Sequence, residues 1–199
     1  KGGVTALTNG NYVVCSPYWS DPEIADVGAV TLFDGSKRIT GTVSAANSMI
    51  GASLGDLIGY HSALALPNGN YVFASEFWDN DTIIDAGAVT WGDGTKGTVG
   101  IVSSANSLVG SAYYDYIGSR DNLQTEEFET GLFVMPNGNY LVASPGWNKD
   151  TVTDAGAVTW GDGSKGTFGL VSQNNSMIGR LTGDNVGSGS IEFLNNGNY

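Results

Sequence analysis

One loop of the chain concentrates carboxylates of the kind that bind metal ions. Calcium takes six to eight oxygen ligands, commonly including several carboxylates. The aspartates that could supply such ligands stand in this loop and in a matching loop downstream: Asp79, Asp81, Asp85, Asp150 and Asp154. The matching loop upstream has Pro22 in place of Asp81 and keeps Asp26, so the set is not complete there. A side-chain oxygen before a turn can instead accept a backbone N–H, and the pattern favours this turn-shaping role.

Three tryptophans, Trp19, Trp78 and Trp147, each stand in a polar loop directly after a predicted strand. Aromatic rings stack on the apolar faces of sugars and peptides, so these residues are candidate ligand-binding residues. A tryptophan at the same position can instead pack one structural unit against the next, and the sequence favours this second role. The choice between the two roles depends on burial.

No residue pattern in the chain predicts catalysis. A glycosidase needs two carboxylates across a pocket, and the recurring aspartates cannot be told apart for that purpose. His61 is the only histidine, and since no nucleophile motif accompanies it we expect a surface or turn residue. Cys15 is the only cysteine, and alanine stands at its two matching positions, which indicates a small buried site. We therefore predict a non-enzymatic protein with no catalytic residues.

These residues recur because the chain is an internal repeat. The phrase Asn-Gly-Asn-Tyr begins at positions 9, 68, 137 and 196, in steps of 59, 69 and 59 residues. The sequence divides into unit 1 (residues 1–59), unit 2 (60–118), unit 3 (119–187) and the start of a fourth unit (188–199). Because both ends of the sequence fall inside this pattern, we expect it to be a piece of a longer chain.

Unit 3 is longer than the others because of a ten-residue insertion in the stretch 120–129. Insertions in repeat proteins map to loops on one face, and this face is often the binding face. The acidic residues Glu126, Glu127 and Glu129 of the insertion are therefore candidate ligand-binding residues. A solvated acidic loop without a ligand is the alternative.

Composition and charge exclude some partners. The formal net charge is −12 with only eight Lys and Arg residues, so the chain lacks the basic face that nucleic acids require. No apolar run has the length of a membrane-spanning helix, and we predict no membrane insertion. The acidity fits a soluble secreted protein, so we expect an extracellular or cell-surface location.

Each unit is predicted to be rich in β-structure. Glycine is frequent, with 30 residues, and no stretch has sustained helical periodicity. In unit 2 we predict strands over residues 62–66, 71–75, 86–91 and 98–103, joined by tight turns. Four short antiparallel strands in a repeat of this length are typical of a β-propeller blade, and the alternative is a β-solenoid. The expected fold class is all-β.

Several short phrases resemble the FG-GAP repeat, the blade of the integrin α-chain β-propeller and of many bacterial surface proteins. Around unit 3 the matching phrases are Ile117-Gly118, Asn137-Gly138, Ala143-Ser144-Pro145, Asp150 and Gly156-Ala157-Val158. The phrase Leu-Pro-Asn-Gly-Asn-Tyr is also similar to repeats of bacterial secreted proteins. The resemblance implies propeller blades on a secreted or surface protein. Many FG-GAP blades hold calcium in a carboxylate-rich turn, and the corresponding Asn-Gly-Asn turn lacks a carboxylate, so we expect that calcium loop to be missing.

The sequence thus predicts a non-enzymatic secreted or cell-surface repeat protein for adhesion, scaffolding or recognition of protein or glycan. One alternative is a structural repeat array of an extracellular filament or sheath. A propeller-based hydrolase is a further alternative with less support. The expected partners are a protein or glycan ligand or further copies of the chain. We predict no cofactor, and calcium is the alternative that the aspartates would allow.

Overall fold

The computed structural model of the protein describes residues 2–122 and 127–192, and all sixteen regular elements in that part of the chain are β-strands. Unit 1 contains β1 (Gly3–Ala6), β2 (Tyr12–Ser16), β3 (Ala29–Phe33) and β4 (Met49–Ile50). Unit 2 contains β5 (Leu64–Ala65), β6 (Tyr71–Ser75), β7 (Ala88–Gly92), β8 (Gly100–Ile101) and β9 (Ser107–Val109). Unit 3 contains β10 (Ser119–Asn122), β11 (Glu127–Thr130), β12 (Leu132–Val134), β13 (Tyr140–Ser144), β14 (Ala157–Gly161), β15 (Gly169–Leu170) and β16 (Ser176–Ile178). The all-β prediction is confirmed, and within these residues no helix has the length and apolar character to cross a membrane.

Each unit forms its own antiparallel sheet in the order of the chain. The sheets are β1-β2-β3-β4 in unit 1, β5-β6-β7-β9 in unit 2 and β12-β13-β14-β16 in unit 3. The hairpin between the first two strands turns at a glycine with φ near +90°, as at Gly69, a conformation that tight turns need and glycine adopts freely. A pair of hydroxyls joins the third strand to the last one in every unit, as between Thr90 Oγ1 and Ser107 Oγ at 2.7 Å. The predicted four-stranded antiparallel sheet is therefore present in each unit.

The prediction of which segment completes the sheet was wrong. In unit 2 the last strand is β9, in the Asn-Ser-Leu-Val phrase, and not the predicted strand over residues 98–103. That segment forms β8 and crosses to unit 1, where it pairs in parallel with β4. β15 of unit 3 joins β9 of unit 2 in the same way. Each following unit thus adds one short parallel strand to the sheet before it.

The sheets of neighbouring units pack face to face. β6 in the centre of unit 2 is buried along its whole length because both of its faces are covered. Tyr71 and Phe73 belong to the apolar cluster shared with unit 1, whereas Val72 and Ala74 belong to the cluster shared with unit 3. This alternation is the two-residue period of a β-strand. The core of the protein therefore lies between the units.

The insertion of unit 3 is a β-hairpin and not a loop. β10 and β11 pair antiparallel and form a two-stranded sheet of their own. Near its base, Arg120 Nη2 donates a hydrogen bond to the carbonyl oxygen of Ser188 at 3.1 Å. The Arg120 guanidinium also lies 5.4 Å from the ring centre of Phe133. These two contacts connect the base of the hairpin to β12 of unit 3 and to the first residue of the fourth unit.

Candidate functional site: the joints and the clefts beside them

A buried aspartate lies at each interface between two successive units, which we term a joint. At the first joint, Asp56 Oδ2 accepts hydrogen bonds from the backbone N–H groups of Ala52 and Ser53, at 2.7 and 2.8 Å. Its Oδ1 accepts a third, at 3.0 Å, from the N–H of Asp79 in unit 2. Burial outweighs these hydrogen bonds and raises the pKa of Asp56 to about 6. The carboxylate thus fixes its own loop and the loop of the next unit.

Asp115 repeats this arrangement at the joint between units 2 and 3. Its Oδ2 accepts hydrogen bonds from the N–H groups of Ser111 and Ala112, at 2.8 and 2.9 Å. Its Oδ1 accepts one at 2.9 Å from the N–H of Asn148 in unit 3. Burial raises the pKa of Asp115 as well.

The Asn-Gly-Asn-Tyr phrase also connects the units. Asn9 Nδ2 and Asn11 Nδ2 both donate hydrogen bonds to the carbonyl oxygen of Gly94 in unit 2, at 2.7 and 2.8 Å. Asn68 Nδ2 donates in the same way to Gly163 of unit 3, at 2.7 Å. The phrase that marks the repeat is therefore an inter-unit contact as well as a turn.

The face of unit 3 that is turned away from unit 2 lacks these contacts, and we term it the open face. Among the described residues nothing donates a hydrogen bond to Asp184 Oδ1, and Asn137 Nδ2 has no acceptor. Two backbone N–H groups bonded to the exposed Asp184 carboxylate lower its pKa. Met177 is 75% exposed here, whereas Met49 at the same position of unit 1 is fully buried.

The candidate tryptophans belong to the faces that meet at the joints. Trp78 and Trp147 are each 4% exposed and lie in the apolar clusters between the units. Trp19 is half-buried, since within the described residues no unit covers the front of unit 1. Burial leaves Trp78 and Trp147 no free ring face for stacking on a ligand, which favours the packing role for these two residues.

A cleft lies beside the tryptophan in units 1 and 3, and we term it the Trp cleft. Its volume is about 520 Å³ in unit 1 and about 360 Å³ in unit 3. Lining residues at equivalent positions are Trp19, Asp21, Ser44 and Ala45 in unit 1 and Trp147, Lys149, Ser172 and Gln173 in unit 3. Both volumes lie within the range of small-ligand pockets, roughly 300–1,000 Å³. The indole Nε1 of Trp147 has no hydrogen-bond partner among the described residues.

The aspartates proposed as metal ligands shape the backbone of their loops. Asp79 Oδ1 accepts a hydrogen bond from the N–H of Asp85 at 2.8 Å. Four of these aspartates have a left-handed backbone, a conformation that aspartate tolerates better than most residues. The φ values are 60° at Asp81, 52° at Asp85, 53° at Asp150 and 51° at Asp154. Burial, with the nearby charge of Asp79, raises the pKa of Asp85. In the part of the chain that the structure describes, no three His, Cys, Asp or Glu side chains are grouped as metal ligands.

The acidic residues of the insertion that the structure describes do not line either Trp cleft. Glu126 lies outside the described residues. Glu127 belongs to β11, where its backbone pairs with that of Asn122. Glu129 is exposed, lies opposite Arg120 in the hairpin and lines neither Trp cleft.

Unit 2 departs from the repeat at one buried pair. Glu76 is fully buried, and its Oε1 lies 2.8 Å from Nε2 of His61. His61 is not a surface residue, because only 15% of its side chain is exposed, but its backbone lies in the bend before β5, in agreement with the turn that we also expected. Despite the short distance between the two side chains, neither carboxyl oxygen of Glu76 nor Nε2 of His61 has a hydrogen-bond partner of good geometry among the described residues. Units 1 and 3 have Pro17 and Pro145 at the position of Glu76.

Comparison with known families adds one assignment. A family model described as "Repeat of unknown function (DUF5650)" matches residues 6–60, 65–119 and 134–188. The chain belongs to this family. The three matches follow the three units, and the third starts beyond β11, so the hairpin lies outside the DUF5650 repeat. No curated protein matches the chain, and these comparisons give the FG-GAP resemblance no support.

Sequence reasoning missed the aspartates of the joints. A signal was present, since each DUF5650 unit has an aspartate three residues before a glycine, at Asp56, Asp115 and Asp184. A charged group is costly to bury unless it is paired or hydrogen-bonded. An ionisable residue that recurs at one position in every unit is therefore a candidate for a buried site that supplies such hydrogen bonds.

Proposed function

We propose that the protein is a non-enzymatic recognition scaffold, in which stacked DUF5650 units present Trp clefts to a glycan or protein ligand. The observation that carries this proposal is the presence of the cleft at equivalent positions in units 1 and 3. Two equivalent sites on one chain suit a ligand that also repeats, because simultaneous contacts raise the avidity of weak sites.

The lining of the Trp cleft favours a neutral glycan among these ligands. In unit 1 the cleft combines the apolar surfaces of Trp19 and Ile50 with the hydroxyl of Ser44. Sugars offer both an apolar face and hydroxyl groups, and this mixture suits them. The net charge of −12 disfavours polyanionic ligands, nucleic acids included.

The carboxylates in the clefts support binding without turnover. Asp21 is the carboxylate that lines the cleft of unit 1, and Asp150, at the repeat position next to it, is the carboxylate that lines the cleft of unit 3. Glycoside hydrolysis generally uses a pair of carboxylates that flank the scissile bond. The hydrolase alternative is tested by incubating the protein with candidate polysaccharides, since release of new reducing ends would establish it.

Binding is tested with a glycan array, followed by calorimetry on the strongest ligand. The double variant Ala45→Lys and Gln173→Lys fills both Trp clefts and should weaken binding at least about tenfold. The neighbouring double variant Ala46→Lys and Asn174→Lys makes the same change of charge outside these clefts and should leave binding unchanged. Equal binding by both double variants would place the ligand elsewhere, and an array without any hit would reject glycan recognition.

A structural array is the second candidate function, and the joints are the observation that favours it. Both joints use the same strand exchange, aspartate bridge and asparagine contacts, so further units can be added on the same plan. Electron microscopy of the concentrated protein tests this candidate, which predicts filaments or sheets. Single particles at every concentration would count against it.

We also propose that the stacked sheets are blades of a β-propeller of FG-GAP type, on a bacterial protein at the cell surface or outside the cell. Four antiparallel strands per unit and face-to-face packing support the propeller. Propellers commonly have four to eight blades, so these units need further ones to close a ring. Fractionation of the cells that produce the protein tests the location.

We propose no metal requirement, because the loop aspartates already act within the backbone of their loops. Thermal unfolding should therefore be the same in calcium and in an excess of chelator. A rise in melting temperature with calcium that is lost in Asp79→Asn and Asp81→Asn would show that these aspartates bind it.

A further inference from the structure

We propose that three tyrosines of unit 2, Tyr113, Tyr114 and Tyr116, bind a quaternary ammonium group of the kind that choline carries. We term these residues the tyrosine platform. None of them lines either Trp cleft, so the inference is independent of glycan recognition in those clefts. The platform lies in the middle unit, between units 1 and 3. Its exposure is a property of the repeat, because Leu54 and Thr182, the counterparts of Tyr113, are exposed as well.

The three rings form a row at the surface. The ring centres of Tyr113 and Tyr114 are 6.3 Å apart, and those of Tyr114 and Tyr116 are 5.9 Å apart, with ring planes tilted by 49° and 36°. Tyr113 is 54% exposed and Tyr114 is 52% exposed. A cation is attracted to the face of an aromatic ring from within about 6 Å of the ring centre. Because the rings are close neighbours, a cation above the space between two of them interacts with both.

The platform is a further departure of unit 2 from the repeat. At the position of Tyr114, units 1 and 3 have Gly55 and Gly183, with φ values of +82° and +77°. Tyr114 keeps this left-handed conformation, with a φ of +62°, although its side chain is bulky. Bulky residues rarely adopt such a φ, and strained residues of this kind concentrate at functional sites. The ring of Tyr114 is thus present at a conformational cost, which a binding role explains.

The backbone beneath the platform is fixed before any ligand binds. The N–H of Tyr114 donates a hydrogen bond to the carbonyl oxygen of Ile84, and the N–H of Tyr116 donates one to that of Asp85, both at 3.1 Å. Asp115, between these two tyrosines, is buried and accepts the hydrogen bonds of the joint. A ligand therefore binds rings that the fold already positions, which lowers the entropy lost on binding.

The charges around the platform favour a cation over an anion or a neutral ligand. The hydroxyl of Tyr116 donates a hydrogen bond to the Asp85 carboxylate. Among the described residues, the charged groups that act on this carboxylate are Asp79 and Glu76, and both are acidic. The whole chain has a net charge of −12. A negative potential of this kind raises the local concentration of cations and lowers that of anions.

The platform suits a quaternary ammonium better than the side chain of lysine or arginine. Those two cations donate hydrogen bonds, and each N–H that leaves water without finding an acceptor weakens binding. The Asp85 carboxylate already accepts a hydrogen bond from Tyr116, and ring faces are poor acceptors. A quaternary ammonium group has no N–H, so the ring faces alone can replace its contacts with water.

Titration of the whole chain with choline chloride tests the proposal, with the choline methyl signal followed by proton NMR. Because the platform is open to solvent, we expect a dissociation constant of roughly 1–10 mM. The first control ligand is the neutral isostere of choline, in which a tert-butyl group replaces the trimethylammonium group. It has the same shape without the charge and should bind at least about tenfold more weakly. Arginine, a cation with N–H donors, should also bind more weakly than choline.

Tyr114→Gly removes the ring that contacts both of the others and introduces the residue of units 1 and 3. It should bind choline at least about tenfold more weakly and keep the melting temperature of the wild type, because glycine adopts a left-handed φ freely. Tyr113→Leu, which introduces the residue of unit 1, is the second platform variant and leaves that φ unchanged. Tyr18→Gly is the matched control, since Tyr18 is 60% exposed and unit 3 has Gly146 at its position.

Weaker binding by both platform variants, with unchanged binding by Tyr18→Gly, would support the proposal. Wild-type affinity in both platform variants, equal binding of choline and its neutral isostere, or tighter binding of arginine would overturn it. So would a choline signal that the wild type leaves unchanged well above the expected dissociation constant. A neutral oligosaccharide that binds the wild type but not Tyr114→Gly, while choline does not bind, would assign the platform to glycans instead. The Trp-cleft variants leave the platform intact, so each of the two proposals can fail without the other.

Discussion

The joint between units 2 and 3 and the open face of unit 3 use the same residue types and differ in whether the described residues include a complete following unit. At the joint, Leu108 is 1% exposed, and burial raises the pKa of Asp115. On the open face, Met177 at the same position is 75% exposed, and backbone hydrogen bonds lower the pKa of Asp184. The environment of a residue in this fold is thus set by the neighbouring unit as much as by its own.

We expect the joints to contribute most of the stability of the protein. In a stack of repeats, stability is close to the sum of a term for each unit and a term for each interface. Most of the buried apolar residues lie between units, in the two clusters at the joints. Substitutions at a joint should therefore cost much more free energy of unfolding than the same substitutions on the open face.

The largest effect is expected for His61→Ala, where the chain passes from unit 1 to unit 2. The substitution leaves the fully buried Glu76 carboxyl group without the imidazole that lies 2.8 Å from it, and removing one partner of a buried pair should lower the free energy of unfolding by about 3–5 kcal/mol. Chemical denaturation measures the loss. Unit 1 has Gly2 and Pro17 at these positions, so the double variant His61→Gly and Glu76→Pro should recover most of the stability. A single variant as stable as the wild type would show that the pair contributes nothing.

The next effect in size is expected for Asp115→Ala. It removes the acceptor of three backbone N–H groups at a buried site and should cost about 3 kcal/mol. Asp184→Ala removes an exposed carboxylate at the equivalent position and should cost less than about 1 kcal/mol. Both values come from denaturant titration at neutral pH. Equal costs for the two variants would break the comparison between joint and open face.

The repeat and the central strands could be predicted from the sequence because both are local patterns. The residues of β6 are β-formers throughout, and the Asn-Gly turn before them fixes where the strand starts. The exchange of β8 could not be predicted in this way. A strand of two residues has no periodicity, and its partner is β4, about fifty residues earlier in the chain.

The burial of the candidate site residues could not be predicted from the local sequence either. Trp19 and Trp147 occupy one position of the repeat, yet the first is half-buried and the second is 4% exposed. No property of the local sequence separates them, because the difference comes from the unit in front. Asp56 was missed for a related reason, since one of its three hydrogen-bond donors, Asp79 N, belongs to the next unit.

The pH dependence of stability should also differ between the joint and the open face. The pKa of Asp56 is about 6 in the folded chain, above its ordinary value near 4, so folding favours the protonated form. The stabilisation from Asp56 is complete below about pH 4 and is lost as the pH rises through 6, a change of about 2 kcal/mol. The test compares unfolding free energies from pH 4 to 7 in the wild type and in Asp56→Asn, which should lose this slope. Asp184→Asn should leave the slope between pH 4 and 7 almost unchanged, because the pKa of Asp184 is lowered and its stabilisation is lost only as the pH falls below about 4.

The smallest predicted effect isolates a single hydrogen bond between units. Asn68 Oδ1 accepts the N–H of Asn70 at 3.1 Å, and Asn137 Oδ1 accepts the N–H of Asn139 at 3.0 Å, so both alanine variants lose the same turn contact. Only Asn68 also donates across a joint, to Gly163 O at 2.7 Å. Asn68→Ala should therefore be less stable than Asn137→Ala by about 1 kcal/mol in paired denaturation curves. Both variants lose the same hydrogen bond within the turn, so the difference between their unfolding free energies measures the hydrogen bond to the following unit. A difference of zero would mean that the asparagines stabilise the turns but not the joints.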